Sequence, residues 1–117
     1  MRALSIRQPY AELILRGEKT IEYRSRPTKV IGERFYIYAS KSSVQPSAAR
    51  GAGQPIPDCG PDLPRGVIVG TAVISHCTNG ATGPTADHWH LTDVQRIKHP
   101  RKPRGRPQRG PVWFRPF

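Results

Sequence analysis

Short segments in which apolar and polar residues alternate dominate this sequence. In Thr20–Arg26, Ile21 and Tyr23 point to one face while Glu22 and Arg24 point to the other, which predicts a half-buried strand with a polar face. Aromatic and β-branched residues, which strands favour, indicate further strands. These lie at Ala3–Ile6, Arg34–Ser40, Val67–Cys77, Trp89–Ile97 and Val112–Phe114. The pattern therefore predicts about five or six strands.

A helical pattern follows the first strand. Pro9 suits the first position of a helix, and Tyr10, Leu13 and Ile14 then fall on one face. Gly17 is a typical residue for ending such a helix. We therefore predict a short helix of about two turns between the first two strands.

The order of these elements indicates the fold class. Strands separated by loops, without a regular strand–helix–strand rhythm, favour a mainly β, α+β fold with one or two short helices. We expect a small, mostly antiparallel β-barrel plugged on one side by the helix. Residues 1–117 are predicted to form one domain, in which 42–65, rich in Ser, Ala, Gly and Pro, forms a long flexible loop or flap.

Two further observations narrow the class of protein. The longest apolar run, Val67–Ile74, is much shorter than the ~20 residues of a membrane helix, and the first residues lack the apolar core of a signal peptide. The two cysteines, Cys59 and Cys77, do not form a disulfide framework. We expect a soluble, cytoplasmic and monomeric protein that has reduced thiols and no membrane partner.

The net charge of the chain indicates which class of partner it binds. The chain carries 19 Lys and Arg against 8 Asp and Glu, a net charge of +11. An excess of this size on a small domain favours polyanions through long-range attraction and counterion release. Nucleic acid is therefore the expected partner, and the alternatives are a solubilising role or an acidic protein.

One cluster of polar residues resembles a known family. The pattern Gly17-x-Lys19-x-x-Glu22-x-Arg24, after a short helix that begins with proline, is similar to the ASCH domain of the PUA-like barrels. The similarity continues along the chain, at Leu4–Pro9, Ile37–Lys41, Gly66–Gly70 and Trp89–Leu91. The resemblance implies a PUA-like barrel that binds RNA or a modified nucleoside.

The resemblance also raises the question of catalysis. Some small bacterial ASCH proteins act as N4-acetylcytidine amidohydrolases or as ribonucleases, and the amidohydrolases use a Lys, a Thr and a distal Glu. Lys19 matches their lysine, but Glu22 stands where they have threonine, and no glutamate follows Glu33. If the chain is an enzyme, Lys19, Thr20 and Glu22 are its candidate catalytic residues, and Asp87 or Asp93 could replace the distal glutamate.

The chemistry of the cluster fits a binding role as well. Lys19 and Arg24 can hold a phosphate, while Glu22 can accept a hydrogen bond from an exocyclic base amine. The alternative is an exposed strand face on which these charges pair, with little effect on stability. Arg7 and Gln8 lie where strand meets helix and are further candidates for the same cleft, although capping and solvation explain them equally well.

The remaining candidates are cations and aromatic residues. Ser40 and Lys41 end the third strand and are candidates for phosphate contacts. The basic, proline-rich segment 98–111 includes Arg101, Lys102 and Arg104 and could lie along an RNA backbone or be merely solvated. Trp89 and Trp113 are expected to pack in the core rather than to stack on bases.

No metal or cofactor is predicted, because His88-x-His90, Cys77 and Cys59 lack the tight spacing of a zinc site. Three functions are left open at this point: an RNA- or nucleoside-binding module, a small hydrolase that uses the same cleft, and a protein-interaction module.

Overall fold

The computed structural model describes residues 1–43, 63–79, 87–104 and 113–117. In this part of the chain six strands and one short helix follow one another. The elements are β1 (Ala3–Gln8), α1 (Tyr10–Leu15), β2 (Ile21–Arg24), β3 (Arg34–Ser43), β4 (Val67–Asn79), β5 (Asp87–Arg101) and β6 (Trp113–Phe114). The predicted strands and the predicted helix are all present.

The six strands form one sheet in the order β2-β5-β4-β3-β1-β6. The sheet is curled into a half-barrel, which confirms the predicted mainly β fold. Four neighbouring pairs are antiparallel, but β1 and β3 are parallel, with Leu4 opposite Ile37. A parallel pair needs a long crossover connection, and α1 and β2 lie in the segment that joins β1 to β3.

Several elements are longer than their patterns predicted. The strands β4 and β5 extend to Asn79 and Arg101 and form a long two-stranded ribbon that pairs Ile68 with Arg101 and Asn79 with Asp87. The first residues of the basic segment 98–111 therefore belong to a strand, and residues 105–111 lie outside the described part. Most of the predicted flap 42–65 also lies outside it, since 44–62 are not described.

The core fills the concave side of the half-barrel, where α1 covers it. Phe35 and Ile37 of β3, Ile74 of β4 and Ile14 of α1 are fully buried there. A close approach between β4 and its neighbours occurs at Gly70. A Cβ atom at this position would lie 2.5 Å from Leu15 Cδ2 and 2.6 Å from the Gln95 carbonyl oxygen. Glycine is therefore required at this point of the packing.

The helix α1 is held at its beginning by a buried amide. Pro9 occupies the N-cap position, one residue before the position that its sequence predicted. The Oε1 atom of Gln8 accepts a hydrogen bond from the Glu12 backbone N–H at 3.0 Å, and Gln8 Nε2 donates to the Pro64 carbonyl at 2.9 Å. The Gln8 side chain therefore satisfies one of the free N–H groups of the first turn.

A buried carboxylate joins α1 to the sheet. Glu12 accepts two hydrogen bonds from Arg96 of β5, at 3.0 and 2.8 Å, and one from Arg16 at 2.8 Å. These hydrogen bonds, led by those from Arg96, lower the pKa of Glu12 although burial opposes them. At six residues, α1 is too short to span a bilayer, and no other helix of the described residues could do so.

Candidate functional site

The turn after α1 places Lys19. Gly17 ends the helix with φ +80°, a conformation that favours glycine. The backbone N–H groups of Glu18 and Lys19 then both donate to the Leu13 carbonyl, at 3.0 and 3.1 Å. This tight turn directs the Lys19 side chain inward, and only 6% of its surface is exposed.

Two tyrosine rings surround the Lys19 ammonium. Its Nζ atom lies 5.2 Å from the centre of the Tyr10 ring and 4.6 Å from that of Tyr23. Among the described residues it has no hydrogen-bond or ion-pair partner. Burial lowers the pKa of Lys19, the Glu22 carboxylate opposes this shift, and Arg24 reinforces it. The Lys19 amine is therefore partly desolvated and has no fixed hydrogen-bond or ion-pair partner in the described part of the chain.

The most buried residue of β2 is Glu22, which belongs to the polar face of the strand. Glu22 is 6% exposed and lies opposite the buried Trp89 of β5, whereas Ile21 and Tyr23 are only half-buried. The sequence pattern had indicated that Ile21 and Tyr23 would be the more buried residues of this strand. The polar face can be buried because its charges pair: Arg24 Nη2 lies 3.4 Å from Glu22 Oε2.

Arg24 links β2 to β1 across the open side of the half-barrel. Its Nη2 atom also donates to the Ser5 carbonyl oxygen at 3.1 Å, and its guanidinium carbon lies 5.6 Å from the centre of the Trp89 ring. Asp87 is buried and lies opposite Arg24 in the pairing of β2 with β5. Arg24 is therefore fixed in position from several sides.

These side chains form a group that we name the Lys19 cluster: Tyr10, Lys19, Glu22, Tyr23 and Arg24. It combines an ammonium, a guanidinium and a carboxylate with two aromatic rings. The Glu22 charge and burial raise the pKa of Tyr10, with burial the larger cause, so its hydroxyl stays a hydrogen-bond donor. Such a set can bind an anionic or carbonyl oxygen beside an amino group, which is the pattern on the edge of a nucleobase.

The other candidates near the helix have different roles. Gln8 is buried, and its amide is hydrogen-bonded to the first turn of α1 and to the Pro64 carbonyl. Arg7 is exposed on β1, on the strand face opposite to that of Gln8. Thr20 is exposed, and its carbonyl oxygen accepts a hydrogen bond from the Leu91 N–H at 2.8 Å. The structure therefore brings Lys19, Glu22 and Arg24 together and leaves the Thr20 side chain in solvent.

The second-rank candidates lie on other strands. Ser40 is half-buried on β3, and the exposed Lys41 lies against Gly66, where a Cβ atom would be 3.2 Å from Lys41 Cγ. Arg101, at the end of β5, places its guanidinium 4.2 Å from the centre of the Phe117 ring. Lys102 and Arg104 follow it and are exposed. These residues therefore lie on β3 and at or after the end of β5, whereas Glu22 and Arg24 lie on β2.

The sequence patterns did not indicate two further features of the site. Tyr10 was assigned only to the apolar face of the helix and Tyr23 only to that of the strand, yet both contact Lys19.

Among the cysteines and histidines considered for zinc, Cys59 lies outside the described residues. Within the described ranges, no group of three His, Cys, Asp or Glu side chains is arranged as a metal site would require.

Comparison with known proteins decides the family. The family model of the ASCH domain matches residues 4–101, which is most of the chain. This chain belongs to the ASCH domain family. ASCH domains are generally RNA-binding proteins of the PUA-like fold, and the residues predicted from the motif lie within the matched range.

Solved structures of ASCH proteins have the same fold. The crystal structure of ASCH from Zymomonas mobilis is similar with a TM-score of 0.58 and 19% identity, over 86% of this chain and 72% of that chain. Its S128A mutant gives a TM-score of 0.57 and 20% identity over the same shares. Identities this low establish the fold alone. A comparison with curated proteins finds no match.

Proposed function

We propose that this ASCH domain binds single-stranded RNA and holds one nucleoside against the Lys19 cluster. The observation that carries the proposal is Lys19, a buried residue whose ammonium has no hydrogen-bond partner among the described residues. Burying an ammonium without a partner is costly for the fold. A ligand oxygen would supply the missing partner.

The neighbouring groups define which ligand fits. Glu22 Oε2 is occupied by Arg24, so Oε1 is the oxygen left to accept a hydrogen bond from an exocyclic amine. Cytosine and adenine carry such an amine, whereas uracil has a carbonyl oxygen at the corresponding position. The Tyr10 and Tyr23 rings supply flat apolar surface for a base or sugar. The net charge of +11 supports a polyanionic partner over a neutral metabolite.

The test compares cytosine with uracil. Binding of fluorescently labelled rC6 and rU6 is measured by anisotropy, and binding of cytidine and uridine by calorimetry. We expect wild type to prefer cytosine, and Glu22→Gln, whose amide both donates and accepts, to lose that preference. A loss of one base hydrogen bond to a charged group corresponds to about 1.5 to 3 kcal/mol. Glu18→Gln, a neighbouring exposed acid, is the matched control.

A second comparison tests whether nucleoside binding depends on the position of the Lys19 charge or only on the net charge of the protein. Lys19→Met should abolish nucleoside binding, whereas Lys98→Met, which removes the same charge from the exposed surface of β5, should leave it unchanged. Equal effects of the two variants would reduce the role of Lys19 to general electrostatics. If neither RNA nor nucleoside bound at low salt, the proposal would fail and an acidic protein partner would become the better hypothesis.

Hydrolysis of an N4-acylated cytidine is a second candidate function, and two observations favour it. Burial lowers the pKa of Lys19, which makes the amine easier to deprotonate. The buried Asp87 lies opposite Arg24, beside the Lys19 cluster, whereas Asp93 pairs with Arg34 on the surface. Of the two aspartates considered as replacements for a distal glutamate, Asp87 is thus the better placed.

The reaction and its test are direct. Water would add to the acetyl carbon, the bond from that carbon to N4 would break, and the N4 atom would leave with a proton, giving acetate and cytidine. Wild type, Lys19→Met and Asp87→Asn are incubated with N4-acetylcytidine, and cytidine is followed by chromatography. Release by wild type that is lost in both variants would support an enzyme. Intact RNA binding without release would exclude this activity.

A further inference from the structure

A second concave region lies at the other end of the open side of the half-barrel. A cavity of 710 Å³ is formed between the segment that follows β2 and the strands β5 and β6. Its walls include Arg24, Arg26 and Lys29 on the β2 side, and Arg2 and Trp113 on the other side. This volume is within the range of sites that hold small molecules and is large enough for a nucleotide.

The charged residues that line the cavity in the described part of the chain are all positive. Four of the described residues that line it are cations and none is acidic: Arg2, Arg24, Arg26 and Lys29. The side chains of Arg2, Arg26 and Lys29 have no hydrogen-bond or ion-pair partner in the described part of the chain. Cations that converge without acids raise the local concentration of anions and leave their donors available. The expected ligand therefore carries phosphate.

The aromatic wall supplies the other half of a nucleotide site. Trp89 and Trp113 lie nearly parallel, with ring centres 6.0 Å apart and an angle of 10° between their planes. Trp89 is buried in the core as predicted, at 4% exposure, but Trp113 is half-buried at the edge of the cavity. A half-buried indole that is held against a second one offers a rigid surface on which a base can stack.

The segment that carries Arg26 and Lys29 is held in one conformation. Trp89 Nε1 donates to the Arg26 carbonyl at 2.9 Å. Thr28 Oγ1 accepts from the Val30 N–H at 3.1 Å, and the Lys29 carbonyl accepts from the Ile31 N–H at 2.9 Å. These bonds order the backbone before any ligand arrives, which reduces the entropic cost of binding.

Arg24 separates this cavity from the Lys19 cluster. It lines the cavity and, through its guanidinium, contacts Glu22 and the Ser5 carbonyl on the cluster side. A strand that places one base beside Lys19 and crosses Arg24 would therefore reach the cavity with its adjoining nucleotide. We propose that the cavity binds the neighbouring nucleotide of the same RNA strand, with its phosphate on Arg2, Arg26 and Lys29 and its base on Trp113. This inference rests on the proposed function of the Lys19 cluster.

The test uses oligonucleotide length and a double variant. Arg26→Ser with Lys29→Ser removes two exposed cations from the cavity and keeps the backbone hydrogen bonds of the segment. Binding of cytidine, which has no phosphate, should be unchanged, whereas binding of rC6 should weaken. Loss of one neutralised phosphate lowers the slope of log K against log salt by about 0.7, which corresponds to roughly 5-fold in affinity at 0.1 M salt relative to 1 M.

A charge-matched control and a fluorescence measurement distinguish binding in the cavity from a general effect of lost positive charge. Arg65→Ser with Arg115→Ser removes the same charge from two exposed residues that do not line the cavity. Trp89 and Trp113 are the two tryptophans of the chain, so tryptophan fluorescence reports directly on this wall. rC6 should change the emission of wild type and of the control but not that of the Arg26/Lys29 variant, and Trp113→Phe should lose the signal.

The outcomes separate the two proposals. If the Arg26/Lys29 variant binds rC6 like wild type, or weakens it no more than the control does, the cavity is not a nucleotide site and the function of the Lys19 cluster is unaffected. Binding of rC6 to wild type without a change in tryptophan emission would also overturn the inference. If cytidine does not bind but rC6 still requires Arg26 and Lys29, the function proposed for the Lys19 cluster fails, and with it the shared strand.

Discussion

Replacing Lys19 by methionine should make the protein more stable while removing its ligand binding. The side chain is almost completely buried, and its ammonium has only ring faces and more distant charges around it in the described structure. Methionine has a similar length and flexibility but no charge to desolvate. A residue kept for binding at the expense of the fold should behave in this way.

The magnitude follows from opposing contributions. Desolvation of a buried ion costs several kcal/mol. Cation–π contacts with Tyr10 and Tyr23 offset about 1 to 2 kcal/mol each at desolvated sites, and the nearby Glu22 charge offsets more. Because the desolvation cost of this unpaired ammonium exceeds these offsets, we expect a gain of about 1 to 2 kcal/mol. For a domain of this size the gain corresponds to about 4 to 8 °C in Tm.

The assay is thermal denaturation of both proteins, followed by circular dichroism across pH. The folded pKa of Lys19 is lowered from its ordinary value of 10.5, so between these two pKa values the unfolded chain binds more protons than the folded one. Wild-type stability therefore rises with pH in this window, and the advantage of Lys19→Met should shrink toward pH 10.5. A lower Tm for Lys19→Met at neutral pH would refute the reasoning.

Two further predictions concern the scaffold. Arg96 holds the pKa of Glu12 low, so this carboxylate stabilises the fold above its ordinary pKa of 4.5 and the effect is lost as the pH falls through the lowered folded value. Glu12→Gln should therefore lower the free energy of unfolding by about 2 kcal/mol at pH 7 and make stability depend less on pH below pH 4.5. The control is Asp93→Asn, at an exposed ion pair, which should change the free energy of unfolding by less than about 1 kcal/mol. Gly70→Ala should lower the free energy of unfolding by about 1 to 3 kcal/mol, because its Cβ meets the Gln95 carbonyl, and an unchanged denaturant midpoint would contradict this packing.

The sequence predicted the existence of the strands better than their partners. Alternation and composition located β2 and β3, and Pro9 and Gly17 bracketed α1, because these signals are local. The parallel pairing of β1 with β3 depends on contacts between residues more than thirty positions apart, which local patterns do not encode.

For the candidate site too, the sequence predicted local features better than features that depend on contacts with distant residues. The spacing of Lys19, Glu22 and Arg24 suggested a shared cleft through its resemblance to a family motif, and the structure brings these three together. Which face of β2 is buried could not be predicted, because burial of the polar face depends on the bond from Arg24 to the Ser5 carbonyl in another strand. Arg24, Arg26 and Lys29 form a dense basic stretch that could have drawn attention to the cavity.

The pairing of β6 with β1 sets an order of assembly during synthesis. Leu4 lies opposite Trp113, so it is joined to a residue that the ribosome adds more than a hundred codons later. A nascent chain halted before β6 would already contain every residue of the Lys19 cluster but would lack the indole of Trp113. Translation would therefore supply the two parts of the proposed RNA contact surface at different times, and the second part only when β6 is made.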